Sequence, residues 1–271
     1  MGKPDIMEPR PPELLSPWRT ERRVALQAEA RTFARDVVLP LADELDPQKG
    51  EMPRSLIDQM AQKGWFGITI PAEYGGMGLG VFEYCLISEE LARAWLSTGS
   101  ILARGQGLGT QTIDDERRKA LLGKSARGEW IGSIALSEPT AGSDLAGVQT
   151  RAVREGDYWY LTGTKRWAGF AQGADFIEVL ARVRDPKPGE PRSAGLEPFL
   201  VLKEPGTFPE GMQGTVIDKI GYHGFLTFEL KLDRVKVPER DRLTGLYGDE
   251  GADADAGGFA SVQRGLNIAR V

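Results

Sequence analysis

The chain has 271 residues, room for about two domains that each bury a core. Its 34 basic and 39 acidic side chains leave a net charge of -5, without the basic face or stripe that nucleic-acid binding requires. One cysteine, Cys85, and one histidine, His223, exclude an intramolecular disulfide, a cysteine-based zinc cluster and a two-histidine metal site; no Gly-x-Ser-x-Gly elbow presents a nucleophilic serine. Residues 1–17 are proline-rich and charged and read as a flexible leader, lacking the apolar stretch of a secretory signal. No run of about 18 apolar residues appears, so membrane insertion is not expected and the chain reads as cytoplasmic.

Residues 18–128 carry helical signals. Val24, Ala28, Phe33, Val37 and Leu41 recur at helical spacing, and Pro40 is expected to bend or divide that helix. Pro53 opens a second helix through Leu56, Ile57, Met60 and Ala61, and Gly64 stops it. The glycine-rich stretch 75–80 lacks dinucleotide-loop spacing and reads as a structural turn before an amphipathic helix over Val81–Ser97. Helices over Leu102–Ile113 and Glu116–Leu122 complete this domain in the expectation from periodicity. Cys85, among Tyr84, Leu86 and Ile87, reads as a buried, inert thiol.

Residues 129–244 change character. Six strand-like runs follow one another: 130–136, 149–155, 159–163, 176–183, 196–202 and 225–237. An exposed loop separates Pro186 from Pro191, and residues 208–216 read as a glycine-containing connection. Residues 245–271 read as a Gly/Asp/Ala linker into the start of another helical segment. The fold class expected is α+β and multi-domain: an all-α domain followed by a small antiparallel β-barrel or sandwich.

Two stretches carry the chemistry. The run Ile134-Ala135-Leu136-Ser137-Glu138-Pro139-Thr140-Ala141-Gly142-Ser143-Asp144 offers a strand end, backbone donors and a small-residue loop suited to a flat ring joined to an anionic pyrophosphate. Gly163-Thr164-Lys165-Arg166-Trp167 follows. Together with the Ile70–Gly80 turn and the element order, they resemble the flavin-binding strand and loop of an acyl-CoA dehydrogenase. The resemblance implies FAD as cofactor: Leu136 and Ser137 at the ring edge, Gly142 and Ser143 at the pyrophosphate, Trp167 over a ring face, Glu138 and Asp144 shaping the loop. Where the family has a hydroxyl after Trp-Ile, this chain has Trp167-Ala168-Gly169, so Gly169 would leave the flavin without that hydrogen bond.

The resemblance implies acyl-CoA oxidation: a carboxylate removes the α proton of a thioester whose oxygen is held by preorganised donors, and hydride leaves the β carbon. The family places its base in a C-terminal helical bundle, so no catalytic residue is assigned in this chain. Ser143 and Arg104 are the substrate-binding candidates. Arg104 interrupts Ile101-Leu102-Ala103, in the segment the resemblance puts at the far end of the acyl pocket. It reads either as a solvent-facing or salt-bridged arginine or as a bidentate partner for a distal carboxylate on the substrate. The stretch Ile220-Gly221-Tyr222-His223-Gly224 is similar to the methylsuccinyl-CoA dehydrogenase branch. The implied partners are an electron-transfer flavoprotein, and further copies of the chain or a complementing C-terminal chain. Alternatives are a non-catalytic acyl-CoA-binding half and a flavin oxidase or monooxygenase on the same fold.

Overall fold

A computed structural model describes residues 18–110 and 115–243. The leader at 1–17 and the segment 245–271 lie outside the described residues. The chain divides into two compact units, helical and sheet-based. The division is not a single cut near residue 128: residues 107–125 fold with the strands, and residues 219–225 fold with the helices.

In the helical unit, α1 (Glu21–Phe33) starts where the Thr20 side chain accepts the Arg23 N–H, an N-cap that satisfies one orphan donor. A π-helical turn (Ala34–Val38) separates it from α2 (Leu39–Leu45), with Pro40 in the first turn of α2, so the expected interruption is present. The run of helical backbone continues through both boundaries, with the Leu39 N–H bonding the Ala34 carbonyl, so Pro40 removes one rung directly after the π turn rather than at a free helix end. Helix α3 (Arg54–Gln62) follows Pro53 and buries Leu56, Ile57 and Met60. The glycine-rich turn is structural: the N–H groups of Met77, Gly78 and Leu79 bond the carbonyls of Gly67, Ile70 and Ile68.

Helix α4 (Val81–Ala94) is stitched to α1 by charge. The buried Glu90 carboxylate accepts from Gln27, Arg31 and Arg93, and Glu83 pairs with Arg23 at 2.7 Å while accepting the Gly80 N–H. Trp95 adopts extended backbone and breaks the expected single helix, with α5 (Leu96–Ala103) resuming beyond it. The Thr98 hydroxyl donates to the carbonyls of Leu91 and Trp95, and the Trp95 indole donates to Asp46 at 2.9 Å.

The helix expected over Leu102–Ile113 does not form: α5 ends at Ala103, and Gln106, Gly107 and Gly109 take left-handed backbone that no right-handed helix accommodates. Part of that expectation, residues 111–114, lies outside the described residues. Helix α6 spans Asp115–Ala126.

The other unit is one seven-stranded sheet: β1 (Gly132–Ala135), β2 (Arg151–Glu155), β3 (Tyr158–Gly169), β4 (Phe176–Arg182), β5 (Leu196–Leu202), β6 (Met212–Val216) and β7 (Thr227–Pro238). The order is β1-β4-β2-β3-β7-β6, with β5 also on β4; most pairings are antiparallel, but β4 pairs in parallel with β1 and β2. Residues 212–216, expected as connection, form edge strand β6 against β7. Its own polar composition and Gly214 hide a strand that the apolar β7 stabilises by pairing. Alternate residues of β4 divide between two sides, with Ile177, Val179 and Ala181 in the main core beside Leu161, Phe199, Leu230 and Val235.

Candidate functional site

The sheet unit joins the two sequence stretches singled out above. Strand β1 ends at Ala135, and beyond it the chain makes a tight turn in which Glu138 and Ala141 exchange backbone hydrogen bonds of 2.7 and 3.2 Å. Strand β3 runs alongside: the Arg166 N–H donates to the Ser137 carbonyl at 2.8 Å, and the Lys165 ammonium donates to the Leu136 carbonyl at 3.0 Å. Leu136 and Ser137 are thereby held one residue from Trp167.

The brace behind this junction is a buried ion pair. Lys165 is 0% exposed, and its Nζ lies 2.8 Å from Glu138 Oε1. The same carboxylate accepts from the N–H groups of Gln149 (2.8 Å) and Thr150 (2.9 Å) and from the Thr150 hydroxyl (2.6 Å). Burial pushes Lys165 down to about 8, with Glu138 holding it up. Burial works to raise Glu138, but Lys165 and the Thr150 and Gln149 donors prevail and keep it below the ordinary carboxylate range. A charged pair taken out of water is tolerated only with such complete hydrogen bonding. The expected loop-shaping role thus falls structurally to Glu138, whereas Asp144 is exposed and pairs with Arg192 at 3.0 Å.

Arg182 supplies a second brace. Buried at the end of β4, its guanidinium donates to the carbonyls of Ala146, Val148, Arg192 and Ala194, tying the segment after the turn to the loop before β5. Its buried, multidentate geometry is one that lysine does not reproduce. Sequence reading passed over it, although an arginine ending the apolar run Phe176–Ala181 was the available signal.

What these braces present is an open surface. Gly142, Ser143 and Asp144 are exposed, and a Cβ built at Gly142 meets nothing within 4 Å. No packing inside the protein therefore requires glycine there, and a ligand can approach the backbone closely. Trp167 is 55% exposed with φ of 67°, a left-handed conformation costly for a bulky side chain, and it sits where β3 and β7 lose register between Lys165 and Ala168. The bulge sends Ala168 into the core and turns the indole outward beneath Arg166, whose guanidinium lies 5.2 Å from the ring centroid. Gly169 is buried, and its carbonyl accepts the Ser133 hydroxyl at 2.9 Å. An exposed flat ring, an open small-residue loop and backbone held rigidly between them suit a planar cofactor with an anionic tail, the fit the flavin expectation requires.

Arg104 is in the helical unit, as the residue capping α5 at its C-terminal end. Its Nε is buried without a hydrogen-bond partner, while the residue as a whole is partly open. Its guanidinium lies 5.0 Å from the Phe225 ring centroid, and Tyr222 faces it. Lys219, which sequence reading did not connect with it, lies in the same cluster.

Among the described residues no group of three or more His, Cys, Asp or Glu side chains could hold a metal ion, and no helix is long and apolar enough to cross a membrane. Cys85 is partly buried, and burial, together with Glu89, raises its thiol pKa. Glu178, on β4, is 8% exposed and its carboxyl forms no hydrogen bond or ion pair among the described residues; burial alone pushes it up to about 7.

Residues 20–129 match the family described as "Acyl-CoA dehydrogenase, N-terminal domain" and residues 133–235 match "Acyl-CoA dehydrogenase, middle domain". The (2S)-methylsuccinyl-CoA dehydrogenase of Cereibacter sphaeroides is 33% identical over 255 residues, covering 91% of this chain and 44% of that protein. A 3-(aryl)acrylate reductase of Clostridium sporogenes is 35% identical over 257 residues, covering 93% of this chain and 63% of the relative. Among solved structures, the glutaryl-coenzyme A dehydrogenase complex with glutaryl-CoA superposes with a TM-score of 0.79 at 30% identity, over 93% of this chain and 61% of that one. The chain thus spans 44% to 63% of the length of these relatives.

Proposed function

The chain belongs to the acyl-CoA dehydrogenase family, with that family's N-terminal and middle domains in order, and on this premise we propose that it binds FAD and serves the α,β-oxidation of an acyl-CoA thioester. The observation that carries the reading is the junction of two stretches nearly 30 residues apart in sequence. Lys165 to Glu138 and Arg166 to Ser137 hold the 136–144 loop beside the outward-turned Trp167.

When bound, FAD supplies the acceptor for the hydride released from the β carbon. The chain's own part is to bind and orient. Leu136 and Ser137 would hold the ring edge, Trp167 would cover the ring, and Gly142 with Ser143 would admit the pyrophosphate and the adjoining part of the acyl-CoA. Gly169 brings backbone without a hydroxyl to the same region. The Lys165–Glu138 pair spends its charges on the loop, so it is not available for proton transfer.

The base is not drawn from the described carboxylates. Glu90, Glu138 and Asp241 are each committed to a cation, and Glu178 lies on β4 in register with Ile134 of β1 and Leu200 of β5. We assign the base to the helical bundle that accompanies these domains in the family, on the same or on a complementing chain. An electron-transfer flavoprotein is the electron acceptor in this reading, a homo-oligomer the assembly, and the cytoplasm the compartment.

The test is the visible absorption spectrum of the purified chain after incubation with FAD and desalting, alone and mixed with a separately produced C-terminal bundle. A retained flavin spectrum, bleached anaerobically by an acyl-CoA in the mixture, is expected. Absence of retained flavin under both conditions would overturn the reading in favour of an acyl-CoA-binding protein. Rapid reoxidation by air would favour an oxidase or monooxygenase, the second reading, to which the missing hydroxyl at Gly169 points.

A further inference from the structure

Strands β3 and β7 recover register beyond the Trp167 bulge, with Ala168 opposite Phe228 and Gly169 opposite Thr227. Ala168 and Phe228 both lie in the main core. Alternation along each strand therefore puts Gly169 and Thr227 together on the other side of the sheet, away from the core, as the bulge does for the Trp167 indole. The two carbonyls point apart: that of Gly169 accepts the Ser133 hydroxyl at 2.9 Å, and that of Thr227 accepts the Ile217 N–H at 2.8 Å. Gly169 and Thr227 are thus a pair without mutual backbone hydrogen bonds, the kind in which facing residues approach most closely. Glycine adds no side chain to this pair, so the functional group it presents is the Thr227 hydroxyl.

That hydroxyl has no partner inside the protein. Thr227 is 5% exposed, yet its side chain forms no hydrogen bond among the described residues. Thr110, Ser125, Ser133 and Thr150, the other buried serines and threonines described in the sheet unit, each form at least one. The Thr227 oxygen is not sealed in the interior but keeps a small accessible surface, so a ligand can reach it. A nearly buried hydroxyl left unpaired costs free energy that a ligand's donor or acceptor recovers. Packing alone does not call for threonine, since valine has the same branched shape and suits a strand equally.

We infer that the Thr227 hydroxyl is a cofactor-binding group, hydrogen-bonded to the flavin ring nitrogen that takes up hydride. The inference deepens the flavin reading and rests on it. That nitrogen accepts a hydrogen bond in the oxidised ring and carries an N–H donor after reduction. A hydroxyl serves both states by rotating, because it has one donor and two acceptor lone pairs, whereas an ammonium, a guanidinium or a backbone N–H only donates. Trp167 on β3 supplies the flat surface, and Thr227 supplies the polar contact from the neighbouring strand. The hydroxyl absent at Gly169 is thereby made good across the strand pair, where a pattern read along β3 cannot show it.

The test compares FAD with its deaza analogue, in which that nitrogen is replaced by C–H and accepts no hydrogen bond. Both are titrated calorimetrically into the intact chain, with the complementing bundle added. The wild-type protein is expected to bind FAD about fivefold tighter than the analogue, as one hydrogen bond implies. Thr227→Val is expected to abolish the preference and leave affinity for the analogue unchanged; Thr227→Ser, which keeps the hydroxyl, is expected to retain it.

Equal affinity of the wild-type protein for FAD and the analogue overturns the inference without any variant needing to fold. A preference that survives Thr227→Val in a protein with an unchanged unfolding transition overturns it too, because the hydrogen bond then comes from elsewhere. An equal fall in affinity for both cofactors in Thr227→Val assigns the side chain to structure and overturns it likewise. Binding of neither cofactor by the wild-type protein overturns the flavin reading itself, a result distinct from equal binding of both.

Discussion

Each unit of this protein contains a buried or half-buried cationic centre, and the two centres are handled in opposite ways. In the sheet unit Lys165 meets a carboxylate, and that carboxylate accepts three further hydrogen bonds from Gln149 and Thr150. In the helical unit Arg104 and Lys219 meet rings, carbonyls and a phenol but no carboxylate. Charge that is satisfied internally serves the architecture, here the shape of a loop. Charge left uncompensated at an energetic cost is available for something outside the fold.

The sharpest way to break this comparison is to remove one side of the satisfied pair. Lys165→Met is expected to cost about 3–5 kcal/mol of unfolding free energy, since it strands a buried carboxylate. Chemical denaturation measures this, and Lys165→Met combined with Glu138→Gln should recover much of the loss. A single variant within about 1 kcal/mol of wild type would mean that the pair contributes little to the loop.

Glu178 extends the comparison to a largely buried acid with no hydrogen-bond or ion-pair partner among the described residues. Its folded-state value of about 7 lies above the ordinary carboxylate value of 4.5. Below that ordinary value both folded and unfolded states are protonated and the residue costs nothing. As pH rises through the window to about 7, the unfolded state loses its proton first, so stability falls, and above it the whole penalty is present. Glu178→Gln should therefore gain on wild type with rising pH, by up to about 3 kcal/mol at about 1.4 kcal/mol per unit. Denaturation curves collected between pH 4 and 8 test this, and a pH-independent difference would show that the carboxyl finds a partner.

Two smaller effects separate function from stability. Trp167→Gly is expected to stabilise the cofactor-free protein by about 1 kcal/mol, because glycine relieves the left-handed backbone, while flavin retained after desalting falls. A stabilised variant that kept its flavin would remove the indole from the binding surface. Arg104→Gln should change thermal stability least, within about 0.5 kcal/mol or slightly upward, because it deletes a cation without a carboxylate partner. A loss of several kcal/mol would instead reveal a structural pairing and dissolve the contrast between the two centres.

Much of this was legible in the sequence because the signals are local. The apolar spacing and Pro53 mark α3, Pro40 falls at a helix division, and the runs at 176–183 and 196–202 are strands. The helix expected over Leu102–Ile113 fails because periodicity registers apolar residues but not the left-handed backbone at Gln106, Gly107 and Gly109. Strand β6 was missed because its pairing partner, β7, supplies what its own residues lack. Of the candidate flavin-site residues, Leu136, Ser137 and Trp167 could be picked out from the motif, but the outward turn of Trp167 comes from a register shift that only cross-strand pairing reveals.

The sequence by itself determined the order of helices and strands, the family membership and the small-residue character of the 141–144 loop, because each is written in neighbouring residues. Only the tertiary structure decided that Glu138 answers Lys165, that Arg182 clamps the loop carbonyls, and that Lys219 joins Arg104 while Glu178 remains alone. The reason is physical: a charge is visible in the chain, but its energy depends on burial and on partners elsewhere in the chain, 27 residues away for Lys165 and Glu138, which meet only once the backbone has folded.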